Sequence, residues 1–133
     1  MRNIKKLVAS ALLISAMFAP TVVQARDIQS LYFRLPAYQG TAYTPYATKA
    51  STGGYTVMNI NDIESGSYAI DGLLVNSGDS QRSEYRTGMM QNDRSLISNW
   101  SSAQGGYDYR VRCINHNSVN YGALITGTWS PDN

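Results

Sequence analysis

The chain has 133 residues, with 11 Lys and Arg against 9 Asp and Glu, a single histidine and a single cysteine. One cysteine excludes an internal disulfide. One histidine and one cysteine fall short of the three or four ligands that a zinc site requires, so a zinc enzyme is not expected.

Residues 1–25 have the order of a secretory signal peptide. A basic start precedes an apolar run over 7–18, and small or modest residues lead up to Ala25. The run is too short to span a bilayer comfortably, so an uncleaved anchor is the weaker alternative. We expect cleavage after Ala25 and an extracellular, secreted domain over 26–133.

Removal of the signal peptide changes the charge balance. The remaining 108 residues carry eight Lys and Arg against nine Asp and Glu. Nucleic-acid binding needs a basic surface, so this balance argues against a nucleic-acid partner. The length is that of one small domain with a modest core, and no membrane span is expected in the mature form.

Short stretches rich in β-branched and aromatic residues alternate with turn residues along the mature chain. The predicted strands cover residues 31–35, 55–60, 67–76, 81–90, 95–100, 107–115 and 121–129. The stretch 95–100 is compatible with either a strand or a single helical turn. Because no amphipathic helix is visible, we expect an all-β fold, a single small antiparallel β-sandwich of about seven strands, with an open barrel as the alternative.

The C-terminal stretch 107–129 is the clearest strand signal. Tyr107, Tyr109, Val111 and Cys113 fall on one face of the first run by period-two alternation. A five-residue connection of mostly polar residues leads to a second run rich in β-formers. This arrangement predicts a β-hairpin on which the rest of the domain packs.

Three expectations concern the core and the chain end. Cys113 falls on the apolar face of its strand, so its thiol should be buried; an intermolecular disulfide is the alternative. Trp129 closes the last strand, where a ring of that size is expected to be buried. The polar residues 130–133 are expected to be loosely held, so that their removal costs little stability.

Candidates for catalysis or metal binding are few. His116 is the only histidine, and its position in the predicted turn indicates exposure to water rather than a Ser-His-Asp site. Glu64 and Glu84 are the only glutamates, and their spacing does not favour a glycosidase pair. One turn offers oxygen ligands without the aspartate density of a calcium loop: Asn59, Asn61, Asp62 and Glu64. We therefore expect no catalytic residue, no metal site and no cofactor.

All ten tyrosines and both tryptophans lie beyond residue 25. With Ser, Gly and Asn, this composition is typical of surfaces that bind glycans or proteins through rigid rings. We expect Tyr68, Tyr107 and Tyr109 to belong to the core. The longest irregular segment, 37–54, carries three tyrosines outside any strand pattern and is the candidate binding loop: Tyr38, Tyr43 and Tyr46. The alternative is that these rings cover an open end of the sandwich.

Four stretches carry a resemblance to a known family. They are 33–35 (Phe-Arg-Leu), the Gln-Gly pair at 39–40 with the Tyr- and Thr-rich segment around it, 100–102 (Trp-Ser-Ser) and 125–132 (Ile-Thr-Gly-Thr-Trp-Ser-Pro-Asp). In these stretches the chain resembles a small group of secreted proteins of unknown function from bacilli and clostridia. The resemblance implies a Gram-positive secreted protein and brings no catalytic residues with it. In architecture alone, the chain is similar to lactococcin-type bacteriocins, which are small exported β-sandwiches.

These observations favour a secreted, non-enzymatic protein that is bacteriocin-like or binds a component of the cell envelope. Its partner is expected to be a protein or an envelope component. Two alternatives remain open, a small secreted hydrolase and an inhibitor of an extracellular enzyme. A hydrolase needs a base or a nucleophile pair, and only His116 and scattered carboxylates are available for that role.

Overall fold

The computed structural model describes residues 26–64 and 69–133, which form an antiparallel β-sandwich, as the sequence predicts. Within these residues there are nine strands: β1 (Gln29–Leu35), β2 (Thr41–Tyr43), β3 (Ala47–Thr48), β4 (Tyr55–Ile63), β5 (Ile70–Asn76), β6 (Arg86–Met89), β7 (Arg94–Ser98), β8 (Asp108–Asn115) and β9 (Ala123–Ser130). The expected signal peptide, residues 1–25, lies outside the described residues.

The nine strands are divided between two sheets. The first sheet has four strands in the order β1-β9-β4-β7. The second has the order β2-β8-β5-β6, and the short β3 also pairs with β8 beyond the end of β2. Every pairing between these strands is antiparallel. The inner faces of the two sheets meet to form the core, and their outer faces remain available for polar side chains.

Period-two alternation decides which side chains enter the core. In β8 the residues Tyr109, Val111 and Cys113 are buried, while Arg110 and Arg112 are partly exposed on the outer face. The expected burial of Tyr109, Cys113 and Trp129 is confirmed. Burial raises the pKa of the Cys113 thiol to about 12, which keeps it protonated and unreactive.

Two other tyrosines that we expected in the core have different outcomes. Tyr107 is 61% exposed, so its predicted burial is wrong. The strand begins only at Asp108, after a turn in which Gly106 has a positive φ of 87°, and the alternation does not extend back to Tyr107. Tyr68 lies outside the described residues.

The predicted C-terminal hairpin is wrong. Strand β8 pairs with β5, β2 and β3 in the second sheet, whereas β9 lies between β1 and β4 in the first. The connection between β8 and β9 therefore crosses from one sheet to the other. A short polar connection fits either arrangement, because alternation along a strand indicates its buried face but not its partner.

The segment 37–54, expected to be irregular, supplies the edge of the second sheet. Tyr43 lies opposite Arg112 of β8, and Ala47 lies opposite Tyr109. The four residue steps from Tyr43 to Ala47 therefore lie opposite only three steps on β8, from Arg112 to Tyr109. The edge segment thus has one extra residue, which forms a β-bulge. Thr44 bridges this bulge, because its N–H donates to the carbonyl of Val111 and its Oγ1 accepts from the N–H of Val111.

Other boundaries also differ from the prediction. The third strand begins at Ile70, and residues 67 and 68 lie outside the described residues. The fourth is reduced to β6, because the chain before it crosses between the sheets through a bridge from Ser83 to Asn99. The stretch 95–100 forms a strand, β7, and not a helical turn. Strand β4 continues to Ile63 through an irregular register, where a turn was expected.

The expectation of a loosely held chain end is wrong. Lys49 is completely buried, and its Nζ donates to the carbonyl of Pro131 at 2.7 Å and to Oδ1 of Asp132 at 2.9 Å. The Asp132 carboxylate also accepts hydrogen bonds from the N–H groups of Ala50 and Ser51. Residues 83 positions apart in sequence thus form one buried polar cluster.

Candidate functional site

Two of the three tyrosines of the candidate binding loop meet on the outer face of the second sheet. The guanidinium carbon of Arg110 lies over the ring of Tyr43, 3.8 Å from its centroid, and over the ring of Tyr46, 4.9 Å from its centroid. The edge bulge between β2 and β3 produces this convergence, because it directs both rings towards one position of β8. We call Tyr43, Tyr46 and Arg110 the Tyr–Arg cluster.

Two arginines lie on this face of β8, and only one of them has an acidic partner. Arg112 is ion-paired with Asp79 at 3.2 Å, and the hydroxyl of Tyr43 donates to the same carboxylate oxygen. The side chain of Arg110 makes no salt bridge and no hydrogen bond within residues 26–64 and 69–133, and its Nε is buried without a partner. The rings supply cation–π attraction, but they do not satisfy the N–H groups.

The third tyrosine of the predicted loop lies elsewhere. Tyr38 sits in the turn before β2, with a positive φ of 56°, and is 70% exposed. Its backbone N–H donates to the carbonyl of Val119, which ties this turn to the connection between β8 and β9. The predicted binding loop is therefore divided, with Tyr43 and Tyr46 in the Tyr–Arg cluster and Tyr38 outside it.

A cleft of about 410 Å³ opens where the loops after β5 and before β8 face each other. Its walls combine hydroxyl, amide and charged groups with two tyrosines: Asn76, Ser77, Arg82, Ser102, Gln104, Tyr107, Asp108 and Tyr109. Tyr109 is fixed there, since its hydroxyl donates to the carbonyl of Gln104 at 3.0 Å. Tyr107 exposes most of its ring at the same cleft. The cleft was not predicted from the sequence, because both tyrosines were expected to lie in the core.

One loop connects the cleft with the outer face of the second sheet. Asn76 and Ser77 line the cleft, while Asp79, two residues later, pairs with Arg112. Asp79 has a positive φ of 61°, and the Oδ1 of Asn76 accepts from the N–H groups of Gly78 and Ser80. These hydrogen bonds hold the turn closed, so the loop is an ordered border between the two surfaces.

His116 is exposed to water, as expected, and its ring also contacts an acid. Its Nδ1 lies 2.9 Å from Oδ1 of Asp71, which also accepts from the N–H of Gly88. The Tyr85 hydroxyl donates to the other oxygen of Asp71 at 3.4 Å, and burial together with the Asp71 charge raises the pKa of Tyr85. In the described part of the chain no hydroxyl or thiol is hydrogen-bonded to the His116 ring.

The two glutamates occupy separate positions with separate partners. Glu64 accepts from the N–H of Leu124 and pairs with Arg34, and both contacts hold its pKa below the usual value. Glu84 accepts from the indole N–H of Trp100 at 3.0 Å. Each carboxylate is thus engaged in an exposed structural contact, and Glu64 is not available as a calcium ligand without giving up its partners.

Residues 26–64 and 69–133 contain no group of three or more His, Cys, Asp or Glu side chains that could hold a metal ion. The same residues contain no helix that is long and apolar enough to cross a membrane. Comparisons of the chain with protein-family models, with curated proteins and with solved structures found no match.

Proposed function

We propose that this protein is a secreted, non-enzymatic binding protein that takes a glycan of the Gram-positive cell envelope in the cleft. The observation that carries the proposal is the exposed ring of Tyr107 at a cleft whose other walls are mainly polar. A sugar has apolar C–H faces and a rim of hydroxyl groups. It therefore fits a site that combines an aromatic ring with planar polar side chains.

The composition and size of the cleft support this ligand class. Its volume lies within the range of about 300–1,000 Å³ that is usual for small-molecule sites. Arg82 and Asp108 carry opposite charges, so the lining has no strong preference for an ionic ligand, while Asn76 and Gln104 add amides. Amide, carboxylate and guanidinium groups can each contact two neighbouring hydroxyls, which gives orientation to a neutral sugar.

A small secreted hydrolase is the second candidate, and the His116–Asp71 contact is the observation that favours it. An aspartate that holds a histidine ring is one part of a nucleophilic site. The chemistry also needs a nucleophile within reach of the other ring nitrogen, and the described residues place none there. Cys113 is close in sequence, but its thiol is buried and its pKa is raised to about 12.

The binding proposal can be tested with Tyr107→Ala. We expect this variant to lose about tenfold or more in affinity, about 1.4 kcal/mol, for purified Gram-positive sacculi and soluble muropeptides, because the stacking ring is gone. Its melting temperature should stay unchanged, since the ring is mostly exposed. Co-sedimentation and calorimetric titration measure the affinity.

The matched control is Tyr32→Ala. Tyr32 is 76% exposed on β1 of the other sheet, so this change removes a tyrosine that is at least as accessible as Tyr107 and lies away from the cleft. Equal binding by the two variants, or no binding by the wild type, would refute the proposal. Release of reducing ends from sacculi that is lost in His116→Ala would establish the hydrolase instead. Killing of an indicator strain that depends on Tyr107 would place the binding in a bacteriocin-like activity.

A further inference from the structure

Arg110 is a partly buried cation that the described residues do not neutralise. Its Nε is enclosed without a hydrogen-bond partner, and its two terminal amino groups make no hydrogen bond within residues 26–64 and 69–133, yet are not enclosed as Nε is. A guanidinium has five N–H donors, and leaving them unmatched in a partly buried position costs free energy. The terminal amino groups of Arg110 are therefore available to an acceptor from outside the chain.

The carboxylates on the same side of the sheet already have other partners. Asp79 accepts from Arg112 and from the hydroxyl of Tyr43. Asp108, which shares the outer face of β8 with Arg110, accepts from Oγ1 of Thr48 at 2.7 Å. Both acids are thus engaged by other residues, and neither of them is paired with Arg110.

The two tyrosine rings hold the guanidinium in place before any ligand arrives. Stacking over Tyr43 and Tyr46 restricts an otherwise flexible side chain, so less conformational entropy is lost when its N–H groups bind a ligand. The fork of a guanidinium matches the two oxygens of a phosphate or carboxylate group. We propose that Arg110, held by Tyr43 and Tyr46, is a binding site for an oxyanion group, phosphate or carboxylate, carried by a ligand.

This site lies outside the cleft and does not depend on glycan binding there. The simpler alternative is that Arg110 only covers apolar surface. Its partner position in β5 is Val75, which is fully buried on the outer side of the sheet, and the aliphatic stem of an arginine can cover such a residue. The variant Arg110→Met keeps a stem of similar length and removes the donors, so it separates the two roles.

The experiment follows the Nε–H signal of Arg110 by NMR in protein labelled with ¹⁵N-arginine. The signal is assigned by its absence in Arg110→Met. Inorganic phosphate and acetate are titrated separately against chloride at constant ionic strength. We expect a saturable shift with at least one of the two oxyanions and none with chloride. Saturation with phosphate alone indicates a phosphate-bearing polymer as the ligand, and saturation with acetate alone indicates a carboxylate.

Arg94→Met is the matched control for charge. Arg94 is exposed on β7, and its partner is the amide oxygen of Asn133, so its loss leaves no acid unpaired. Oxyanion affinity, measured by titration calorimetry, should fall by about tenfold or more in Arg110→Met and stay unchanged in Arg94→Met. Equal losses in both variants, or no saturable shift in the wild type, would overturn the proposal.

If Arg110→Met does not fold, the wild-type shift and its absence with chloride decide. Tyr107→Ala should not alter the response, which keeps this test separate from that of the cleft.

Discussion

Lys49 is a fully buried cation and Arg110 a partly buried one, and their surroundings differ. Lys49, directly after β3, is completely buried and donates to the carbonyl of Pro131 and the carboxylate of Asp132. Arg110, on β8, is stacked on two rings and has no acid. Both side chains lose contacts with water, but only Lys49 replaces them with hydrogen bonds inside the fold. Whether a buried cation has an acidic partner, more than how deeply it is buried, distinguishes a structural charge from one that is left available to a ligand.

The largest expected effect comes from breaking the pair on the structural side. Asp132→Ala leaves the Lys49 ammonium buried without a counter-charge, and it also frees the N–H groups of Ala50 and Ser51. We expect a loss of about 3–5 kcal/mol in the free energy of unfolding. This loss is measured by urea denaturation, with the labelling of Cys113 as the signal for unfolding. The buried thiol reacts only when the core opens.

Two controls distinguish the buried pair from salt bridges in general. Arg34→Met breaks an exposed pair with Glu64 and should cost far less stability than Asp132→Ala, because water and salt screen the pair. The double variant Lys49→Met, Asp132→Leu removes both buried charges and should recover much of the loss. If Asp132→Ala is as stable as Arg34→Met, residues 130–133 are as dispensable as the sequence indicated, and the comparison with Arg110 fails.

The acid stability of the protein should depend on the same pair. Burial alone would raise the pKa of Asp132, but hydrogen bonds from Ala50 and Lys49, the Lys49 charge and a bond from Ser51 outweigh it and hold the pKa below the usual value. As pH falls, the unfolded chain binds the proton first, near pH 4, and the native state only at lower pH. The contribution is therefore present above about pH 4 and lost below it.

The measurement is the free energy of unfolding across this pH range. The wild type should lose stability more steeply below pH 4 than the double variant Lys49→Met, Asp132→Leu, which has no carboxylate at this position. The other carboxylates are common to both proteins and cancel in the difference. Parallel curves for the two proteins would show that Asp132 titrates as an ordinary exposed acid.

The smallest expected effect on stability belongs to Arg110. Arg110→Met loses a cation–π contact of about 0.5–2 kcal/mol but also removes an unsatisfied buried Nε. Because the two terms oppose each other, we expect a net change of about 1 kcal/mol or less in urea denaturation. A loss comparable to that of Asp132→Ala would make Arg110 a structural residue and remove the contrast with Lys49.

The sequence predicted local features of the fold better than its long-range pairings. Alternation along β8 identified the buried face of Cys113, because that face depends only on neighbouring residues. It could not show that β8 and β9 belong to different sheets. The contact between Lys49 and Asp132 joins residues 83 positions apart, and no local pattern in either segment indicates it.

The candidate site was also predicted only in part, because its local features could be read from the sequence and its long-range contacts could not. Composition indicated Tyr43 and Tyr46 as unusual for a loop, and the structure places both in one cluster. Arg110 was not predicted, because its contact with these rings depends on the register of β2 and β3 against β8. Tyr107 was misassigned because its alternation continues that of the strand although the strand begins one residue later.

The burial of Lys49 also has a practical consequence for attaching this protein to surfaces and probes. Lys49 is the single lysine in residues 26–133, and it is wholly enclosed. In a chain that begins at Arg26, amine-directed reagents would therefore meet no accessible lysine on the folded domain, and acylation would be restricted to the terminal amino group. Coupling chemistry that usually gives random orientations would give a single one here, with both the cleft and Arg110 unmodified. Acylation of Lys49 itself would report that the domain has unfolded.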